Sequence, residues 1–217
     1  MEQELKKFRD RLRIAIILYV FSERIQDSDT GRAARFSTEV KLQALDFLVR
    51  YPDFFSMELL DLIQSGESND RDEIMRIVRN VFSSKEPDIK VEEMEKFFHG
   101  AYESIDDLIA YLVSINFLKY ESKTRINGRE YEKHYYLTQF GISKIEESLK
   151  SISSATWFVA RCLTIKKYFG TLSGSELKSR QYRYTTEYAN IPYRGKIMQL
   201  QEKVHSTFYQ IFKEELI

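Results

Sequence analysis

Apolar positions recur at helical spacing along most of the chain, and only one stretch alternates in the manner of strands. Over residues 2–25, Leu5, Phe8, Leu12, Ala15 and Ile16 mark one face of a helix. Ile14, Ile17, Leu18, Val20 and Phe21 fill its other sides, so the end of this helix is predicted to be buried. Residues 26–35 read as a polar loop. A second helix is predicted from about Thr38 to Arg50, with Ser37 or Thr38 as its N-cap. Tyr51-Pro52 ends it, because a residue before proline disfavours helix. A third helix is predicted over Ser56 to Ile63 with Ser56 as cap. A fourth covers 70–83 on Ile74, Ile77, Val78 and Val81, and a short fifth covers 91–98.

Ser104 is the expected cap of a sixth helix reaching about Ser114, with Ile105, Leu108, Ile109 and Leu112 inward. The period then changes to two. Residues 116–122 alternate as a strand, Asn127-Gly128 is a hairpin-turn dipeptide, and 134–137 form the returning strand. Thr138 should cap a seventh helix through Ile142, Ile145 and Leu149. A helix over 154–169 stops at Gly170, residues 171–194 show no clear period, and a last helix is expected over about 196–215. The predicted fold class is mainly α with a small β-hairpin.

Composition narrows the class. Of 217 residues, 43% are apolar and 30% charged, which suits a soluble protein with a buried core. Eight Gly and three Pro favour long helices. The single Cys162 excludes a disulfide framework and points to a reducing compartment, so a cytoplasmic location is expected. The apolar run Ile14–Phe21 is too short to span a membrane, which needs about 20 residues, and it lacks a signal-peptide cleavage pattern. Net charge is zero but unevenly spread. Residues 53–107 hold 6 basic and 15 acidic side chains, whereas 161–217 hold 10 basic and 5 acidic. Distinct faces for distinct partners would explain this, as would a solvated acidic helical surface.

Helix, strand, polar hairpin, strand and capped helix over 104–150 resemble the second half of a winged helix. The likeness lies in Asn116-Phe117-Leu118, Asn127-Gly128-Arg129 and Tyr136-Leu137-Thr138-Gln139-Phe140-Gly141. In that family the Thr caps the helix after the wing and the Gly lets it pack close to the sheet. The resemblance implies a winged-helix domain over 36–150, its first two helices drawn from 38–63, with an acidic helical insertion at 66–99. Residues 1–35 would be an N-terminal helix and loop, and 151–217 a C-terminal helical extension.

The wing carries Lys123, Arg125, Arg129 and Lys133, with Lys119 nearby, against Glu121, Glu130 and Glu132. Lys123, Arg125, Arg129 and Lys133 are the candidate contacts to a nucleic-acid backbone, which would be non-specific. The alternative is that the wing faces solvent or a protein. The helix that would enter the major groove holds Asp106 and Asp107 and no Lys or Arg, so it is poorly made for reading bases. Protein docking suits its charge better. In the C-terminal stretch, Arg180, Tyr182, Arg183, Tyr184, Tyr188, Tyr193 and Arg194 form a candidate partner interface. Packing on the core ranks second for these residues and nucleic-acid binding third.

Catalytic chemistry finds little footing. His99, His134 and His205 lie far apart without ligand spacing, so no metal and no cofactor is expected. Cys162 reads as a buried thiol beside Trp157 and Phe158, and Ser173-Gly174-Ser175 lacks the ending of a phosphate loop. No enzymatic activity is expected.

Three further segments together resemble the middle components of bacterial ABC-three-component systems, relatives of the small subunits of Lamassu-type defence complexes. They are Phe36–Val40 leading into Ala44–Pro52, the Tyr136–Gly141 wing ending, and Ser151–Gly170 with Trp157, Ala160-Arg161 and Tyr168-Phe169-Gly170. The resemblance implies a non-enzymatic adaptor beside an SMC-like ATPase and an effector, so larger ATPase or effector subunits are the expected partners. The 66–99 stretch and the chain beyond 170 depart from the short form of that family. The alternative reading is a dimeric transcriptional regulator similar to PadR-type repressors, with 154–169 and 196–215 as a homodimerisation arm.

Overall fold

The computed structural model describes residues 2–27, 30–91, 94, 96–97, 100–101, 104–124, 130–182, 195, 197 and 199–217. In chain order the elements are α1 (Glu2–Phe21), β1 (Glu23–Asp27), β2 (Arg32–Ser37), α2 (Glu39–Arg50), α3 (Pro52–Gln64), α4 (Arg71–Ser83) and α5 (Glu86–Ile89). They continue with β3 (Lys96–Phe97), β4 (Gly100–Ala101), α6 (Asp106–Ser114), β5 (Leu118–Thr124) and β6 (Glu130–Thr138). Last come α7 (Gln139–Ser151), α8 (Ser153–Phe169), α9 (Gly174–Gln181) and α10 (Gln201–Phe212). The protein is thus mainly helical with a small four-stranded antiparallel sheet. Among the described residues no helix is long and apolar enough to cross a membrane.

The chain divides into two compact units, Met1–Asp46 with Glu103–Lys178, and Phe47–Tyr102 with Ser179–Ile217. Each joins segments distant in sequence. The 38–63 pair does not serve one unit: α3 belongs wholly to the second.

The first unit holds the sheet, in the order β1-β2-β6-β5. Of residues 26–35, expected as loop, 26–27 and 32–35 belong instead to the paired strands β1 and β2. The alternation was hidden because only Ala34 and Phe36 of β2 turn inward, between exposed Arg35 and Ser37. β2 earns its strand geometry from β6, with Phe36 opposite Tyr135 and their rings 6.3 Å apart. β5 and β6 form the hairpin the sequence predicts, with Leu118 opposite Leu137 and Tyr120 opposite Tyr135; its Asn127-Gly128 turn lies outside the described residues. α1 lies against β2 and β6 and α8 packs on α1, with Ile14, Ile16, Ile17, Leu18, Cys162, Ile165 and Phe169 fully buried.

Local signals at the sheet are met closely. Asn116 takes φ +59 after α6 and Phe117 N–H donates to Leu112 O at 2.9 Å, closing the helix by a left-handed cap that asparagine tolerates. Thr138 Oγ1 accepts the Gly141 N–H at 2.9 Å and caps α7. A Cβ on Gly141 would stand 2.4 Å from Phe117 O, so glycine is what allows α7 this close to the strand. Ser104 does not cap α6, which starts at Asp106 without a side-chain cap; the Ser104 hydroxyl lies 3.5 Å from the Asp106 carboxylate instead.

The second unit packs α3, α4, α5 and α10. Phe55, Leu59, Leu60, Ile74, Val78, Val204 and Phe208 are fully buried in it. α3 begins at Pro52, four residues before the expected cap, because proline fits the first helical position where no N–H is required. Ser56 is inside the helix and its hydroxyl donates to Pro52 O at 2.8 Å. The predicted helix at 91–98 is not formed where it is described: Lys96–Phe97 pair with Gly100–Ala101 as a ribbon. Met94 N–H donates to the buried Tyr51 hydroxyl at 2.7 Å. The last helix is shorter than expected, ending where Lys213 turns to φ +59.

Candidate docking interface

α6 is the helix that a groove reader would use, and its outward side is acidic and apolar. Asp106, Asp107, Ala110, Tyr111, Val113 and Ser114 are exposed, while Ile109 and Leu112 hold it to the unit. Arg11 of α1 lies over the Tyr111 ring at 3.6 Å and props this side.

Lys133, one of the four wing cations, is not offered to a ligand. Its Nζ sits 2.8 Å from Glu39 Oε2 and 3.2 Å from Asp106 Oδ1, with the side chain only 16% exposed. Burial opposes its charge, but hydrogen bonds and attraction from Glu39, then Asp106, outweigh burial and hold its pKa well above the ordinary lysine value. Lys133 therefore ties the root of the hairpin to the first turns of α2 and α6. Lys123 is exposed and forms an ion pair with Glu132, whose carboxyl is held below the usual range chiefly by that hydrogen bond. Arg125 and Arg129 lie outside the described residues. Of the neighbouring cations, Lys119 donates to Thr30 O and Arg32 pairs with Glu121 while lying over the Tyr136 ring at 4.3 Å.

The C-terminal candidates separate. Arg180 is 6% exposed and does not stand at the surface. Its Nε lies 2.7 Å from Glu58 Oε2, Nη1 2.8 Å from Glu67 Oε2 and Nη2 3.3 Å from Asp61 Oδ2. It ties the chain at residue 180 to α3 within the second unit. Tyr182 is half-buried, and burial raises its phenol. Arg183, Tyr184, Tyr188, Tyr193 and Arg194 lie outside the described residues.

Cys162 is fully buried and burial pushes its thiol well up, out of the range of a reactive thiolate. His205 packs edge-on against Phe82, and His134 Nδ1 lies 3.3 Å from an Arg35 guanidinium nitrogen; His99 is outside the described residues. Among the described residues no group of three or more His, Cys, Asp or Glu could hold a metal ion. The sequence did not single out Glu39 or the Glu58, Asp61 and Glu67 trio. Their partners are 94, 122, 119 and 113 residues away, and no local spacing signals such pairings.

Comparison with known protein families, with characterised proteins and with solved structures found no match.

Proposed function

We propose that this chain is a non-enzymatic winged-helix accessory subunit of a bacterial SMC-like ATPase complex in antiviral or anti-plasmid defence. It acts in the cytoplasm as a protein-docking adaptor, and any contact with DNA is to the backbone and weak. The element order supports the winged-helix reading: helix α1, strand β2, helices α2 and α6, then strands β5 and β6, with β2 beside β6. On this reading α1 and α2 are the first two helices, and Phe47–Tyr102 is carried between α2 and α6. The adaptor role draws on the family likeness of segments 36–52, 136–141 and 151–170.

One observation carries docking over DNA reading. The would-be recognition helix has Asp106 and Asp107 at its head and no cation, and it consumes Lys133, the wing cation nearest to it. Phosphates would meet carboxylates there, whereas a partner with a basic and apolar surface would meet Asp107, Ala110 and Val113.

Co-expression with the products of the neighbouring genes, followed by affinity purification, tests the reading. We expect a stable complex that Asp107→Lys with Val113→Lys breaks without unfolding the chain. Failure to retain either neighbour, or sequence-specific DNA binding at about 10⁻⁸ M or tighter as true regulators show, would overturn it.

A further inference from the structure

Helix α1 enters the fold only from its middle. Ile14, Ile16, Ile17 and Leu18 are fully buried, yet every side chain from Gln3 to Arg9 is exposed, Leu5 at 64% and Phe8 at 50%. Leu5, Phe8 and Leu12 stand on the same stripe as Ile16. The apolar seam thus runs two turns past the point where this chain covers it.

The charges beside the seam say what covers it. With Leu5 and Leu12 at heptad position a and Phe8 at d, position g holds Glu4 and Arg11, of opposite sign and seven residues apart. In an antiparallel pair of identical helices, a faces d and g faces g. Leu5 then packs on the second copy's Phe8, and Glu4 meets the second copy's Arg11, each contact occurring twice about the axis. Both charges suit the exchange. Among the described residues Glu4 is engaged by Lys7 at 3.2 Å in an exposed pair, which is easily traded. Arg11 has its guanidinium carbon 3.6 Å from the centre of the Tyr111 ring, and a cation held by a ring can still donate its N–H groups to a carboxylate. Tyr111 itself is 36% exposed and borders the seam.

We propose that the protein self-associates through α1, antiparallel to α1 of a second copy, with Leu5 and Phe8 at the twofold axis and Glu4 paired to the second copy's Arg11. The overlap is roughly 12 residues, about 18 Å of helix. That is small against a standard interface, so the dimer is reversible and in the micromolar range. Self-association through α1 is independent of the adaptor reading, since it needs only α1 and the Tyr111 side chain beside it.

Sedimentation equilibrium of the full chain tests it. The mass should rise from monomer to dimer with concentration, and Leu5→Ser with Phe8→Ser should stay monomeric with an unchanged circular dichroism spectrum. Glu4→Arg and Arg11→Glu should each weaken association by about tenfold or more, equivalent to 1.4 kcal/mol. Mixed together, these two variants should form a heterodimer, since one protomer then carries two cations at g and the other two anions. A wild-type chain that stays monomeric throughout, or a dimer indifferent to Phe8, would overturn the proposal. So would rescue of Glu4→Arg by Arg9→Glu in place of Arg11→Glu, which marks a parallel pair.

Discussion

Arg13 Nε lies 2.6 Å from Asp46 Oδ1, and both side chains are only 2% exposed. The pair ties α1 to α2 across 33 residues inside the apolar core of the first unit, with Asp10 adding a contact to Arg13 Nη1 at 2.7 Å. A buried pair of this kind contributes little over an apolar replacement, but removing one partner leaves a desolvated charge. Asp46→Ala should therefore cost about 3 kcal/mol, near the lower end of the range for broken buried pairs because Asp10 remains. Chemical denaturation would show it, and the double variant Arg13→Met with Asp46→Leu should recover most of the loss. Equal stability of Asp46→Ala and wild type would mean that the pair is idle.

The Arg180 tether behaves as a set. Arg180→Ala leaves Glu58, 4% exposed, without its guanidinium and should destabilise the protein by about 3 kcal/mol. Adding Glu58→Gln to that variant should restore part of it. Arg180→Lys should fall between, because one ammonium cannot span three carboxylates as the fork does. Thermal melts of the four proteins would rank them, and a lysine variant as stable as wild type would refute the geometric argument.

Asp53 gives the second unit a pH dependence. Its fully buried carboxylate accepts the Phe54 N–H at 2.9 Å and the Leu200 N–H, holding the chain before α10 to the start of α3. Burial raises its carboxyl pKa, and the backbone hydrogen bonds only partly offset this. The folded protein then takes up this proton at a higher pH than the unfolded chain does. Its contribution is fully present below the ordinary aspartate value of about 3.9, and it is lost as pH rises through the folded-state value. The stability difference between wild type and Asp53→Asn should move in favour of the asparagine variant as pH rises through that window. Urea midpoints at a series of acidic pH values measure it; a difference independent of pH would count against the burial argument.

Gly141 and Gly174 are among the glycines that should resist any side chain. Gly141→Ala forces a Cβ to within 2.4 Å of Phe117 O, and Gly174→Ala forces one to within 2.6 Å of Lys41 N. Each obstacle is backbone, so each substitution should cost about 1–3 kcal/mol. Gly66→Ala meets no atom within 4 Å and pays only for its φ of +73, typically about 1 kcal/mol. Differential scanning calorimetry should place the first two melting points below the third.

The sequence by itself determined what is local. Helical period marked α1, α2, α4, α6, α7 and α8, and alternation marked the β5–β6 hairpin, because these signals need only neighbouring residues. Thr138 was legible for the same reason, because a cap is set within three residues. Gly141 was readable only through the winged-helix resemblance, since the backbone it approaches, Phe117 O, comes from the residue before β5. The Ser173–Glu176 capping box, which starts α9, is equally local, a serine with a glutamate three residues on. Tertiary structure alone decided the rest. β2 is a strand because β6 lies beside it, about 100 residues on, and its own Arg-Ala-Ala-Arg says nothing of this. Lys133 and Arg180 looked like surface cations until Glu39, Asp106, Glu58, Asp61 and Glu67 were brought to them. A cation's availability depends on which carboxylates the fold delivers. That delivery is a matter of long-range packing, which the spacing of residues along one chain does not encode.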